Sequence, residues 1–432
     1  MNRFVIITIN FMCGIAMYGQ ITLEECQTLA REHYPSIKQY GLIEQITEYS
    51  VANASKAYLP QLSFSAQATY QSDVAAFPDR MLAAYEQLGI QMKGLNKDQY
   101  RIGLDVNQTI WDGGATKAQQ DIAEAEGDVA QQSVETELYT LRDRINNLYF
   151  GILILSEQLT QNKLLQELLE SNLKTLRAYV ENGTAMPSDA DVIRVELLSA
   201  GQQRTQIEST REAYCQVLSV MTGKSVGSSD TFSKPLPPSI ASAVNNRPEL
   251  QLLNSQSAQY EAQKRALQSS VMPRIGLFAQ GFYGNPGLNL FKDMTENKWT
   301  ANYIAGVRLQ WNIGSFYTLK GNRQKLTLAQ QRIDNQRETF LFNTDLTTLQ
   351  QRNAIDRMHK IMAEDAEIIR LRNSIRLTSE AKYANGIITV NDLLRDIIAE
   401  SQSMQSKALH EIEWLKNIYD LGYTLNNMFS EN

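Results

Sequence analysis

The chain has 432 residues, with 47 acidic and 41 basic side chains and a formal net charge of −6 at pH 7. A nucleic-acid partner needs clustered Lys and Arg, so this balance argues against one. The chain has only 10 prolines and 23 glycines, which favours long regular elements over several small domains. Its three histidines have no metal-ligand spacing, and there is no phosphate-binding loop or nucleophile motif. These features predict no cofactor, no metal site and no enzyme activity.

The first 19 residues are typical of a secretory signal peptide. Arg3 supplies a positive charge, residues 4–17 form an apolar core, and Met17-Tyr18-Gly19 offers a cleavage site before Gln20. A buried N-terminal helix is the alternative, but the polar, periodic segment that follows favours export. Beyond this segment no apolar run reaches the roughly 18 residues of a transmembrane helix. Any contact with a membrane core is therefore expected to be made by strands.

Two cysteines remain after export, Cys26 and Cys215. An oxidising compartment would allow them to form one disulfide. Both lie on the apolar faces of predicted helices, however, which favours free buried thiols.

The exported chain consists of two halves with the same order of elements, joined by a connector over 224–246 that is rich in Gly, Ser and Pro. Each half predicts a helix, two strands, a very long helix and a returning helix, which indicates an internal duplication. In the first half, 20–223, helices are expected over 22–58, 115–182 and 188–222, and strands over about 60–72 and 101–111. In the second half, 247–432, helices are expected over 247–271, 315–384 and 391–425, and strands over about 273–284 and 302–313.

The predicted strands alternate between apolar and polar residues, the pattern of a strand with one apolar face. In a soluble sheet this pattern puts a core on one side and water on the other. In a membrane barrel it puts lipid outside and an aqueous lumen inside. The apolar residues form a band bordered by aromatic rings: Leu62, Phe64, Tyr70, Leu104, Val106, Tyr303, Val307, Leu309 and Trp311.

The predicted helix over 115–182 would be roughly 100 Å long at about 1.5 Å per residue. From Val134 its apolar residues follow the four-three alternation of a coiled-coil seam, and the second long helix carries a similar series that ends at Ile375. Asn-Gly pairs end both helices, and Ser188 or Asp189 is expected to cap the helix after the first of them. The glycines that separate strand from helix are Gly113, Gly114 and Gly314.

Four strands of about 10 residues can cross a bilayer but cannot close a barrel. An open sheet edge in lipid would leave backbone groups unsatisfied at several kcal/mol each. The chain is therefore expected to oligomerise, and two, three or four copies would supply eight, twelve or sixteen strands. The long helices would pack side by side as a bundle.

Several features together resemble the TolC family of bacterial outer-membrane efflux proteins. They are the signal peptide, the duplicated order of elements, the two Asn-Gly tips, Trp111-Asp112-Gly113-Gly114 and Arg247-Pro248-Glu249-Leu250. The resemblance covers nearly the whole exported chain. It implies a mainly α fold with a small transmembrane β part. In this fold a homotrimer shares one twelve-stranded outer-membrane β-barrel, which is continued into a long α-helical coiled-coil tunnel across the periplasm.

The resemblance also implies a function and its partners. The chain is expected to be a passive outer-membrane channel of a tripartite efflux or secretion system, surrounded by outer-membrane lipid. Its tips are expected to dock on a periplasmic adaptor protein that works with an inner-membrane transporter. The tip residues are Asn182, Gly183, Asn385 and Gly386. A periplasmic coiled-coil scaffold without a channel is the alternative, but a solvated scaffold would not expose a long apolar band.

The family further suggests where the tunnel closes. Asp392 is expected to face the lumen at a periplasmic aperture, and Tyr383 to pair with Asp189 as a lock. Ile388 and Arg395 stand where relatives can have a basic and an acidic residue, and Asp396 follows Arg395. A helix-capping role for the two aspartates and a packing role for the tyrosine are the alternatives.

Overall fold

The computed structural model describes residues 20–92, 94–238 and 244–427. The predicted signal peptide, 1–19, lies outside the described residues. The helices are α1 Leu23–His33, α2 Gln39–Ser55, α3 Asp79–Gln87, α4 Ala115–Glu181, α5 Pro187–Thr222, α6 Pro248–Ser269, α7 Leu290–Glu296, α8 Ser315–Ala384 and α9 Val390–Leu425. The strands are β1 Gln61–Tyr70, β2 Asp98–Trp111, β3 Arg274–Asn285 and β4 Thr300–Gln310.

None of the described helices combines the length and the apolar character that crossing a bilayer requires.

The chain forms two compact units, and each takes segments from both predicted halves. The helical unit comprises Met1–Gln39, Val134–Pro248 and Thr339–Asn432. The sheet unit comprises Tyr40–Ser133 and Glu249–Glu338. The division between the units falls within α4 and within α8.

The sheet unit contains one antiparallel sheet in the order β1-β2-β3-β4. Its register keeps the predicted apolar residues on one face, because Phe64 pairs with Leu104 and Val106 pairs with Ala279. A shift of one residue would move every side chain of a strand to the other face. The alternating pattern therefore determines which residues share a face. Strand β2 begins earlier than predicted, at Asp98, and β4 ends earlier, at Gln310.

Two helix pairs complete the sheet unit. Helix α2 packs closely on α4 at Gly127, where a Cβ atom would lie 2.3 Å from Thr47 Oγ1. Helix α6 contacts α8 through Gln330, whose amide donates to Glu261 Oε1 at 2.7 Å and to the Ser257 carbonyl at 3.2 Å. The two halves of the sequence thus contribute equivalent pairs.

The core of the helical unit lies around the middle of α4. Ile145, Tyr149, Phe150 and Ile152 are fully buried there, together with residues of α1, α5 and α9. The buried face is wider than the predicted seam because adjacent positions, such as Tyr149 and Phe150, point into different neighbours. A helix that contacts partners on several sides is apolar around most of its circumference.

Both cysteines belong to this core, and neither forms a disulfide. Burial raises the pKa of the Cys26 thiol to about 12, and burial also raises the pKa of Cys215. The interpretation of the pair as free buried thiols is confirmed.

The connector is attached to this core. The amide of Ile21 donates to the Thr231 carbonyl at 3.0 Å, and the amide of Ser233 donates back to the Ile21 carbonyl at 3.0 Å. Arg211 is buried in α5 and donates from Nη2 to the Asp230 carbonyl at 2.9 Å. These contacts attach residues 230–233 of the connector to the core.

One predicted helix is interrupted in the structure, so the prediction of a continuous helix is wrong. The helix expected over 22–58 is interrupted after His33, and a short 3₁₀ turn over Pro35–Lys38 separates α1 from α2. The cause is Pro35, because a proline disfavours the helical conformation of the residue before it. Tyr34 accordingly has an extended backbone, with ψ of 130°. Helix α7 lies between β3 and β4, where no helix was predicted.

Candidate functional site

The first tip joins α4 to α5 through a turn that needs Gly183. This glycine has φ of 70°, a left-handed conformation that residues with a Cβ atom adopt at a cost. The amide of Gly183 donates to the Val180 carbonyl at 3.0 Å, and the amide of Thr184 donates to the Tyr179 carbonyl at 2.9 Å. These two bonds satisfy carbonyl groups that the end of a helix leaves without partners.

The helix after this tip begins one residue earlier than predicted. Pro187 is its first residue and Met186 is the N-cap residue, so the expectation of Ser188 or Asp189 as N-cap is wrong. Proline suits the first position of a helix because its missing N–H has no partner there in any case. Asp189 instead accepts a hydrogen bond from the Met186 amide at 3.2 Å.

The second tip repeats the turn with different capping. Gly386 has φ of 66°, and the amide of Ile387 donates to the Lys382 carbonyl at 2.9 Å. Thr389 is the N-cap residue of α9, and its hydroxyl oxygen accepts from the Asp392 amide at 3.2 Å. The tips predicted at Asn182-Gly183 and Asn385-Gly386 are therefore the two turns of the helical unit.

The two tips line one cavity of about 670 Å³. Asp189 and Tyr383, which were predicted as a pair, both contribute to its wall. Tyr383 is half-buried against the apolar cluster behind the cavity. Burial raises the pKa of its hydroxyl, and the charge of nearby Asp189 raises it further. The two residues are neighbours, and no hydrogen bond joins them in the part of the chain that the structure describes.

Asp392 is not among the residues that line this cavity. Its carboxylate accepts hydrogen bonds from Thr389 Oγ1 at 2.7 Å and from the Thr389 amide at 3.2 Å. These bonds, the first from the side chain and the second from the backbone, lower the pKa of Asp392. One guanidinium nitrogen of Arg395 lies 3.6 Å from Oδ1. Asp392 thus caps α9, and its side chain still keeps 38% of its surface exposed.

The junction between β2 and α4 is built around the buried carboxylate of Asp112. The sequence analysis quoted Asp112 within a motif but gave it no role. Asp112 accepts from Tyr58 Oη at 2.8 Å, from the Gly114 amide at 2.9 Å and from the Thr116 amide at 2.7 Å. Gly113 has φ of 70°, and a Cβ atom there would lie 2.3 Å from the Cβ of Met272. Glycine is required at this position by backbone conformation and by space.

The second junction has a different conformation. Gly314 does not have a positive φ. A Cβ atom there would lie 3.4 Å from the Asn312 side chain. Gly314 marks the change from β4 to α8, but its role is not the same as that of Gly113. Trp311 provides another contact here, because its indole N–H donates to the Val271 carbonyl at 2.9 Å.

Part of the chain matches the sequence profile of a known protein family. Residues 28–224 match the sequence profile of a family described as "Outer membrane efflux protein". Over these residues the chain is similar to that family. No protein in a search of curated proteins matches the chain.

The fold of this chain is that of solved outer-membrane channels. The structure of the outer membrane protein VceC from Vibrio cholerae has a TM-score of 0.69 at 14% identity, over 94% of this chain and 97% of that chain. The CmeC channel from Campylobacter jejuni has a TM-score of 0.66 at 13% identity, over 95% and 86%. The open state of the MtrE channel from Neisseria gonorrhoeae has a TM-score of 0.65 at 14% identity, over 94% and 89%.

These findings confirm the predicted fold class of a mainly α protein with a small β part, and the matching profile agrees with the predicted resemblance. The profile and two of these structures are of outer-membrane proteins, which is the localisation that the sequence predicts. Of the two functions weighed from the sequence, the efflux channel is supported over the periplasmic scaffold.

The chain also contains polar contacts between α8 and α9 that the sequence analysis missed. Glu400 is 3% exposed, forms an ion pair with Arg376 and accepts from Asn373 Nδ2 at 2.7 Å. Closer to the tip, Asp396 accepts from Ser379 Oγ at 2.6 Å. Asp396 therefore faces α8. Nothing in the local sequence signals these pairs, because their members are 17 to 27 residues apart.

A polar signal was available at the second tip. Thr389 and Asp392 have the spacing of a capping box, in which a hydroxyl and a carboxylate each bond to the other residue's backbone N–H. This spacing, read together with the preceding Asn-Gly, locates the start of α9 from the sequence alone.

Proposed function

We propose that this protein is the passive outer-membrane channel of a tripartite efflux or secretion system, in which three chains share one barrel. The observation that carries the proposal is the sheet. One of its faces is apolar and exposed, and both of its edges are open within the described residues.

The apolar face needs a cover that a water-soluble chain would not have. Phe64 is 73% exposed, Tyr303 is 82% exposed and Val307 is 68% exposed. Burying such side chains contributes about 25 cal/mol for each Å² removed from water, and lipid provides that burial. The same face carries no charged side chain at the alternating positions of Leu62–Tyr70, Tyr100–Ile110, Ile275–Tyr283 and Ala301–Leu309.

The sheet edges support an oligomer. Strands β1 and β4 each pair on one side only, and unpaired backbone groups are costly in lipid. Pairing β4 of one chain with β1 of the next would close the ring, and three chains give the twelve strands that the family resemblance implies.

The second long helix supports the same assembly. Its predicted seam lies exposed on the single chain, with Ile368 at 42%, Leu371 at 47% and Ile375 at 43%. Apolar side chains at this spacing normally pack into a neighbouring helix. In the homotrimer a neighbouring chain would cover them and complete the tunnel wall.

The tips are the proposed contact with the rest of the system. Asn182, Gly183, Asn385 and Gly386 would dock on a periplasmic adaptor, and an inner-membrane transporter would supply the energy. The channel itself needs no catalytic residue. Asp392 would form the aperture, with Asp189 and Tyr383 behind it, and threefold symmetry would bring the carboxylates of Asp392 together so that they attract cations.

Extraction and conductance test the proposal. The protein should leave the membrane fraction only with detergent, should have the mass of three chains and should conduct ions in planar lipid bilayers. Recovery of a monomer from the soluble periplasmic fraction would contradict it.

A further inference from the structure

Two phenylalanines lie on the polar face of the sheet, where the alternating pattern gives them no lipid contact. Phe278 and Phe282 point to the same side of β3 as Gln280, whereas Leu277 and Tyr283 point to the other. Phe282 is only 8% exposed although it belongs to the polar face. Each of the two rings has a glycine and an arginine as neighbours.

Each ring lies beside a glycine and beneath an arginine. Phe282 pairs with Gly103 of β2, and the guanidinium carbon of Arg101 is 3.9 Å from the ring centroid. On the other side of β3, Phe278 pairs with Gly306 of β4, and the guanidinium carbon of Arg308 is 4.7 Å from the ring centroid. In both cases the arginine is two residues from the glycine. The same arrangement therefore occurs twice.

The glycines make room for the rings. A Cβ atom on Gly103 would lie 3.0 Å from the Cβ of Phe282, and a Cβ atom on Gly306 would lie 3.1 Å from two ring carbons of Phe278. A larger residue at either position would push the ring away from the sheet. The glycines thus allow each ring to lie close to the sheet and to support the arginine above it.

The stacked guanidinium groups keep their hydrogen-bonding edges available. Neither Arg101 nor Arg308 has an ion pair within the described residues. Stacking on a ring uses the face of the guanidinium plane, while its N–H groups point outward within the plane. This geometry suits bidentate binding of a carboxylate, phosphate or sulfate group.

The remaining charges on this face leave it positive. The charged residues of the face are Arg101, Asp105, Arg274 and Arg308. Asp105 accepts a hydrogen bond from Ser65 Oγ at 3.3 Å. Its Cα atom is four residues from that of Arg101 along β2, roughly 13 Å at about 3.3 Å per residue. Within the described residues no ion pair joins Asp105 to Arg101 or to Arg308, and three arginines against one aspartate leave the face with a net positive charge.

We propose that Arg101 on Phe282 and Arg308 on Phe278 are two oxyanion-binding subsites on the inner wall of the barrel. The ligand class is the carboxylate, phosphate or sulfate group of an exported compound. The two rings are four residues apart on β3, so the subsites form two levels roughly 13 Å apart. This inference rests on the proposed channel, which makes the polar face the lumen wall and presents three copies of each subsite.

Block of the channel by a polyanion tests the inference. Inositol hexakisphosphate, added to the barrel side of single channels in a planar bilayer, should reduce the current of the wild-type protein. In Arg101→Gln/Arg308→Gln the concentration for half block should rise at least about tenfold, because charge-assisted hydrogen bonds are lost. Arg101→Lys/Arg308→Lys should give an intermediate value, since it keeps the charge and loses the planar fork.

Two further variants separate the stacking from general charge effects. Phe278→Leu/Phe282→Leu keeps both arginines but removes the rings, and it should also weaken the block. Lys320→Gln/Lys325→Gln removes the same total charge from exposed positions on α8, and it should leave the block unchanged. A conducting arginine variant blocked as strongly as wild type, or a lysine control weakened equally, would overturn the inference. A wild-type protein without conductance would instead contradict the proposed channel.

Discussion

The two tips have the same kind of turn, but the contacts between the helices that flank it differ. At the first tip α4 and α5 meet through apolar side chains, with Leu169 and Ile193 fully buried in a cluster that also contains Leu393 and Ile397 of α9. At the second tip α8 and α9 are joined in addition by polar contacts, chiefly the buried pair of Arg376 and Glu400. The second hairpin therefore depends on each charged group keeping its partner as well as on the shared apolar cluster.

The largest loss of stability is expected when the second hairpin loses the charge of Glu400. Glu400→Ala leaves the Arg376 guanidinium, whose side chain is 14% exposed, with a single acidic neighbour, Glu380. Removing one member of a buried ion pair costs about 3–5 kcal/mol, and the thermal unfolding of the detergent-solubilised protein should show a clear drop in Tm. Glu367→Ala on α8, the helix of Arg376, removes an exposed partner of Arg370 and is the control. Equal Tm values for the two variants would refute the distinction.

The first hairpin should respond to loss of volume. Ile193→Ala empties a position with no exposed surface, and buried Ile to Ala changes typically cost about 2–5 kcal/mol. We expect about 3 kcal/mol, measured as a Tm shift that does not depend on salt. Val195→Ala, on the same helix but 62% exposed, is the matched control. A Tm of Ile193→Ala equal to that of the control would show that the hairpin is not held by its apolar core.

The smallest effect on stability and the most specific effect on conductance are expected at Asp392. The hydrogen bonds from Thr389 lower the pKa of Asp392. The contribution of this cap to stability is therefore complete above the ordinary carboxyl pKa near 4 and is lost as pH falls through the lowered pKa.

In single channels, Asp392→Ala should reduce block by divalent cations on the periplasmic side, because the proposed ring of carboxylates is removed. Asp191→Ala, an acid of the first tip's helix, is the control. If Asp392→Ala leaves both the conductance and the divalent block unchanged, Asp392 is only a helix cap.

The sequence was informative where one local pattern determines the structure. The alternation in β1 to β4 predicted their faces because a strand has a period of two, and Gly183 and Gly386 predicted the turns because each adopts a positive φ. The pair of Arg376 and Glu400 could not be predicted, because packing brings together residues 24 positions apart. The interruption at Pro35 was missed although the local signal was present. The roles of Asp189, Tyr383 and Asp392 stay predictions.

The two buried thiols have a practical consequence for measurements on the tips. With the pKa of Cys26 at about 12, only about one thiol in 10⁵ is a thiolate at pH 7, and thiolate is the form that reacts with alkylating reagents. Cys215 is buried in the same core, and its pKa is also raised. The wild-type protein should therefore be almost unreactive toward maleimides. Single cysteines introduced at exposed positions such as Asn182 or Asn385 can carry a spin label or a fluorophore without first removing the native pair.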